Sequence, residues 1–102
     1  MNFSNLISVI MLGFLSACVI APQPIEDYTL ARVAVDAARS VEGARHSPGY
    51  FHQAEESYRK ALQYFEDREY EKAKIEFRRA RAAAERAENS ARLIRARSGE
   101  VF

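Results

Sequence analysis

From Glu26 onward the apolar positions recur at three- and four-residue steps, the spacing of one helix face. Leu30, Ala34, Ala37, Val41 and Ala44 form one stripe, and Tyr28, Ala31, Val35 and Ala38 a second beside it. A face this wide suits a helix packed against two others, predicted here over residues 26–45. His46-Ser47-Pro48-Gly49 then interrupts the pattern. Ser47 is a suitable N-cap and Pro48 suits the first helical position, where its missing N–H costs nothing. The next helix is predicted to run to Glu66 on the seam Phe51, Ala54, Tyr58, Ala61 and Phe65, with Leu62 beside it. A soft boundary follows at Asp67-Arg68, where Asp67 can cap the next helix. The last stretch is the most regular: Tyr70, Ala73, Phe77, Ala80, Ala84, Ala87, Ala91 and Ile94 form a heptad seam that ends at Ser98-Gly99. Alanine at most of these places permits helix axes ~8 Å apart. No segment alternates like a strand. The prediction is an all-α domain at residues 26–102, an antiparallel three-helix bundle with a long third helix.

Residues 1–25 follow different rules. They contain no charged side chain, and residues 6–15 are an almost unbroken apolar run. That run is shorter than the ~20 residues a spanning helix needs and has the length of a secretory h-region. Leu15-Ser16-Ala17-Cys18 follows it and resembles a lipobox, where bacterial lipoproteins are acylated and cut before the cysteine. A thiol is required to carry the thioether-linked lipid, and the small residues Ser16 and Ala17 let the peptidase reach the backbone. The stretch before the apolar run, Met1-Asn2-Phe3-Ser4-Asn5, departs from the pattern by lacking Lys or Arg. On this reading residues 1–17 are a signal peptide and residues 18–25 are the lipidated cysteine with its tether. Pro22 and Pro24 hold the tether extended. Val19 stands where Asp would retain a lipoprotein in the inner membrane, which favours the outer membrane, facing the periplasm.

Composition narrows the functional classes. The chain has 102 residues, with 15 Lys and Arg against 14 Asp and Glu and a net charge of +1. That balance speaks against nucleic-acid binding. Charge is unevenly spread, and residues 68–97 lean basic. The single cysteine cannot close an internal disulfide. His46 and His52 are the only histidines and lack a third ligand for a metal. Ser47, Ser57 and Ser90 have no evident His/Asp partners, and no phosphate-binding loop is present. The expectation is a non-catalytic chain without metal or cofactor; the rival reading is an envelope accessory subunit or hydrolase with an unrecognised site.

Two resemblances bear on function. The stretch from Tyr64 to Ala80, with Tyr64, Tyr70, Ala73, Phe77 and Ala80 on the packing positions, looks like the middle of a single tetratricopeptide repeat. More broadly, the order of features is similar to an uncharacterised family of small bacterial envelope lipoproteins, a domain of unknown function. Those features are the lipobox, the proline spacer, an Ala-rich helix ending in Gly43-Ala44, Ser47-Pro48 with Tyr50 and Ala54, Tyr70-Glu71-Lys72-Ala73, and a long Ala/Arg helix. Some of its members are followed by an outer-membrane-protein-A-like peptidoglycan-binding domain. The resemblance implies an envelope location and adds no activity.

Length counting yields a candidate interaction site. A second helix of roughly eighteen residues brings an antiparallel third helix level with the Ser47-Pro48 turn near Ala87. About ten further residues, ~15 Å, then project from the end opposite the tether. They carry Arg92, Leu93, Ile94, Arg95 and Arg97, followed by Val101 and Phe102. Apolar residues with a basic face are suited to an acidic or amphipathic envelope protein, a cell-wall partner, or a second copy of the chain.

Overall fold

A computed structural model describes residues 2–15 and 21–99. Five helices follow in order: α1 (Phe3–Leu15), α2 (Ile25–Ser40), α3 (Gly43–His46), α4 (Pro48–Glu66) and α5 (Tyr70–Arg97). The chain is all-α, as the periodicity predicts, and no strand occurs among the described residues. The molecule is a rod, 82 × 17 × 15 Å.

α5 is the spine, and both α2 and α4 pack against it along much of their length. Cross-helix contacts fix the directions. Gln23 Nε2 donates to the Tyr70 hydroxyl at 3.2 Å and Arg78 Nε donates to Asp27 Oδ1 at 3.1 Å, so α2 ascends alongside α5. Arg39 donates to Glu55 at 3.5 Å, while the Tyr28 and Phe65 rings sit 6.2 Å apart, so α4 descends between them.

The seams of α4 and α5 lie where the spacing puts them as far as Ala91: Phe51, Ala54 and Ala61 are buried, as are Ala73, Phe77, Ala80, Ala84, Ala87 and Ala91, while Tyr58, Phe65 and Tyr70 are half-buried and Ile94, the last expected seam position, is exposed. Among the described residues, the buried core is alanine apart from Val35, Val41, Phe51 and Phe77. Alanine allows close approach but removes little apolar area per residue, so the larger side chains dominate burial energy. Phe77 is 0% exposed and stands at the centre of an aromatic cluster. Tyr28 meets it edge-on at 5.5 Å, Tyr58 lies at 6.0 Å and Phe65 at 6.4 Å. Such geometries add to area burial. Tyr58 also packs against the distal cluster of Ala38, Phe51 and Ala84, linking the two halves of the core. Burial pushes its phenol above the ordinary value, and the neighbouring Tyr28 hydroxyl adds to the effect.

The first long helix is shorter than its pattern suggests. It stops at Ser40; Glu42 turns through φ 59°, and the separate one-turn α3 begins at Gly43. The turn makes a close approach that only glycine fits. A Cβ on Gly43 would lie 2.7 Å from the Ala38 carbonyl oxygen and 3.2 Å from the Phe51 ring. The break buries Val41 and Gly43 and turns Ala44 outward, so Ala44 is not part of the core. On α2 it is the second stripe, Ala31, Val35 and Ala38, together with Ala34, that faces inward.

Both caps differ from expectation. Ser47 occupies the N-cap of α4, with Pro48 following, but its buried side chain makes no capping bond. Asp67 closes α4 instead of opening α5, whose N-cap is Glu69. The Arg68 N–H donates to Phe65 O at 3.1 Å and the Glu69 N–H to Tyr64 O at 2.9 Å. This pair of bonds is a Schellman C-cap, with Arg68 in the left-handed region at φ 60° where glycine is usual.

The buried ring and the strained cap can each be tested by substitution. Phe77→Ala should cost about 3–5 kcal/mol, read from the loss of helical circular dichroism on heating. A melt close to that of the parent chain would place Phe77 outside the core. Arg68→Gly should stabilise by about 0.5–1 kcal/mol, because glycine adopts the left-handed cap without the Cβ penalty; chemical denaturation measures it.

Candidate functional site

The two ends of the rod differ in chemistry. At the proximal end, residues 21–24 are not helical and lead into α2. The Gln23–Tyr70 bond holds this stretch against the start of α5, and the Tyr28 N–H donates back to Pro24 O at 2.9 Å across the first turn of α2. Leu15 is the last residue of α1. Ser16, Ala17 and Cys18 lie outside the described residues. α1 makes no contact with the later helices, and Phe3, Leu6, Ile7, Val9 and Ile10 are exposed along it.

At the distal end the projection of α5 is shorter than predicted. Ala87 and Ala91 are both fully buried, so the unsupported part starts at Arg92 and not near Ala87. α3, which sequence spacing merged into the first helix, packs on both α4 and α5 and extends the supported length by about one turn. Beyond it, Leu93 is 59% and Ile94 38% exposed. Arg92 Nε and Nη2 donate to Glu88 Oε1 at 3.2 and 3.0 Å, across one helical turn. Arg95 is half-buried and Arg97 exposed. The Ser98 hydroxyl closes the helix by donating to Ile94 O and Arg95 O, each at 3.1 Å. Val101 and Phe102 lie outside the described residues.

A third feature was not anticipated. A groove of about 380 Å³ lies between α4 and α5, lined by His52, Gln53, Glu56 and Ser57 of α4 and by Arg79, Ala82, Ala83 and Arg86 of α5. Three of its α5 residues, Arg79, Ala82 and Arg86, follow one another at three and four in the sequence, apart from the buried seam. Charge follows the same division. α5 carries Lys72, Lys74, Arg78, Arg79, Arg81, Arg86, Arg92, Arg95 and Arg97 against Glu71, Glu76, Glu85 and Glu88, whereas α2 and α4 each hold one more acid than base. Arg79 donates to Glu76 at 2.7 Å within its own helix. Arg59, donating to Glu56 on the α4 side, holds that carboxyl below the usual range.

His46 is nearly buried, with Nε2 3.4 Å from Glu42, while His52 lines the groove. Among the described residues no three His, Cys, Asp or Glu side chains gather as a metal cluster.

A family model described as a domain of unknown function, DUF4398, matches residues 26–100, and the chain belongs to that family. No curated protein and no solved structure matches the chain.

The burial profile of α5 sets the expected result of truncation. A chain ended after Ala91 keeps every buried α5 residue and should melt within about 4–8 °C of the full chain, a change of ~1 kcal/mol or less. A chain ended after Glu85 loses Ala87 and Ala91 and should melt far lower. Equal losses in the two would show that residues 92–102 contribute to the core.

Proposed function

We propose that this member of the DUF4398 family is a lipoprotein of the bacterial cell envelope, tethered by lipid on Cys18, whose helical domain is a non-catalytic interaction module. The observation that carries the reading is the separation of α1 from the rest. Its thirteen residues lack any charge and bury nothing against the later helices. At 1.5 Å per residue it is ~20 Å long, short of the ~30 Å hydrocarbon core. No helix among the described residues is long and apolar enough to cross a membrane. An apolar helix with no protein partner, followed at once by Leu15-Ser16-Ala17-Cys18, suits a leader that is inserted, cut and replaced by lipid. Val19 favours delivery to the outer membrane.

The domain is built to present its surface. Its tether enters beside the start of α5, and α5 with 28 residues reaches ~42 Å away. Leu93, Ile94 and the arginines Arg92, Arg95 and Arg97 therefore stand at the end remote from the anchor, available to a partner in the envelope. The non-catalytic reading rests on packing. The interior is filled with alanine and aromatic rings, and the polar groups form solvated ion pairs along open grooves. Catalysis needs preorganised polar groups in a water-excluding pocket.

The test is lipidation. The native chain should partition into detergent, label with a fatty-acid probe and fractionate with the outer membrane. Cys18→Ala should lose label and partition while its helical spectrum is unchanged. Labelling that persists in the Cys18→Ala variant would remove the lipoprotein reading.

A further inference from the structure

We infer that the hollow at the N-terminus of α4 binds the C-terminal carboxylate of a peptide whose last residue is apolar. The inference goes beyond the interaction-module reading and needs neither the Cys18 tether nor the far end of α5.

The donors come first. A helix begins with N–H groups that its own carbonyls cannot reach. At α4 the Phe51 N–H donates to Ser47 O at 3.0 Å, and Pro48 has no N–H. The Gly49 and Tyr50 N–H groups remain, and neither finds an acceptor among the described residues. Ser47 stands at the N-cap, where a side-chain oxygen would accept from them, yet it makes no such bond. Ser47 is 7% exposed, the only buried polar residue among the described ones, and its hydroxyl has no other partner there. A buried polar side chain is ordinarily hydrogen-bonded, so a hydroxyl left over in this way calls for an acceptor from outside. It lines one hollow of about 320 Å³ together with Pro48, Gly49, Tyr50 and Gln53.

The donors fit an anion. They lie at the positive end of a 19-residue helix that has no acid in its first turn. The neighbouring acid, Glu42, is engaged by Arg45 and His46 at 3.3 and 3.4 Å. None of the five lining residues is charged. The hollow therefore lacks the cations that hold a phosphate, and a singly charged carboxylate suits it better. The backbone is approachable, because a Cβ on Gly49 would meet nothing within 4 Å. Pro48 and Tyr50, the latter 43% exposed, offer apolar walls to a side chain. Gln53 adds a carboxamide that both donates and accepts, as a peptide amide requires. Capture of a chain end by backbone N–H groups is a recurring mode of peptide recognition.

The experiment titrates the full-length lipidated chain, isotope-labelled and in detergent micelles, with N-acetyl-leucine while amide magnetic resonance is recorded. The Gly49 and Tyr50 signals should move and saturate. The carboxamide of the same compound, inorganic phosphate, and 4-methylpentanoate, which keeps the side chain and acid but lacks the amide, should each bind about tenfold more weakly or less well still. Ser47→Ala should weaken binding about tenfold, with the helical circular dichroism and the melt close to those of the parent chain. Ser47→Asp places a carboxylate where it accepts from the same N–H groups, so both signals should be displaced without ligand and respond to none. Signals that do not move, binding of phosphate or 4-methylpentanoate as tight as that of N-acetyl-leucine, or unchanged affinity in Ser47→Ala would each overturn the inference. Fatty-acid labelling of the same chain reports separately on the Cys18 anchor.

Discussion

The packing of three helices around Phe77 is the contact on which the rest of the structure depends. Phe77 comes from α5, Tyr28 from α2, and Tyr58 and Phe65 from α4. Among the described residues, no other fully buried side chain is comparably large. In a core otherwise made mostly of alanine, this one cluster ties all three long helices together where each offers bulk. Tyr58 extends the tie upward by touching the distal alanine cluster as well. The aromatic end is also the end at which residues 21–24 lead into α2 and Gln23 bonds Tyr70, so the bulkiest packing lies beside the start of α2 and α5.

Helices seamed by alanine come close together. On the outside, α5 carries a basic surface and the acids of α2 and α4 reach only part of it. Arg78 is satisfied by Asp27 across the α2 interface, and Arg81 by Glu85 within α5. Such exposed pairs contribute little to stability.

The connections show how a chain with few glycines makes sharp turns. Glu42 and Arg68 both adopt left-handed backbone, a conformation that costs a residue with a Cβ about 1–2 kcal/mol. At Arg68 the cost is offset by the Schellman bonds that close α4. At Glu42 the turn brings Gly43 against Ala38 and Phe51, where no larger residue would fit. The glycine is thus required one position after the strained residue, for space and not for backbone freedom.

Sequence periodicity alone determined the helical class, the approximate extent of the long helices, and the inward seams of α4 and α5. Those seams are strict three–four repeats with one dominant apolar stripe each, and a helix face is a local property of spacing. It also marked residues 1–25 as chemically distinct, since the uncharged run needs no partner to be recognised. Tertiary structure decided what depended on remote contacts. Two adjacent stripes on α2 were equally apolar, and only the positions of Phe51 and Phe77 selected the one containing Ala31 and Ala38. The helix end at Ser40 comes with the left-handed turn at Glu42, which brings Gly43 against Ala38 and Phe51, a contact spacing cannot reveal. The resulting α3 packs on α4 and α5, and α5 is buried as far as Ala91. The spacing of Arg79, Ala82 and Arg86 was legible in the sequence, but only the packing of α4 against α5 placed them along a groove. A repeat states which residues share a face; the neighbouring helix determines whether that face is core, groove or open surface.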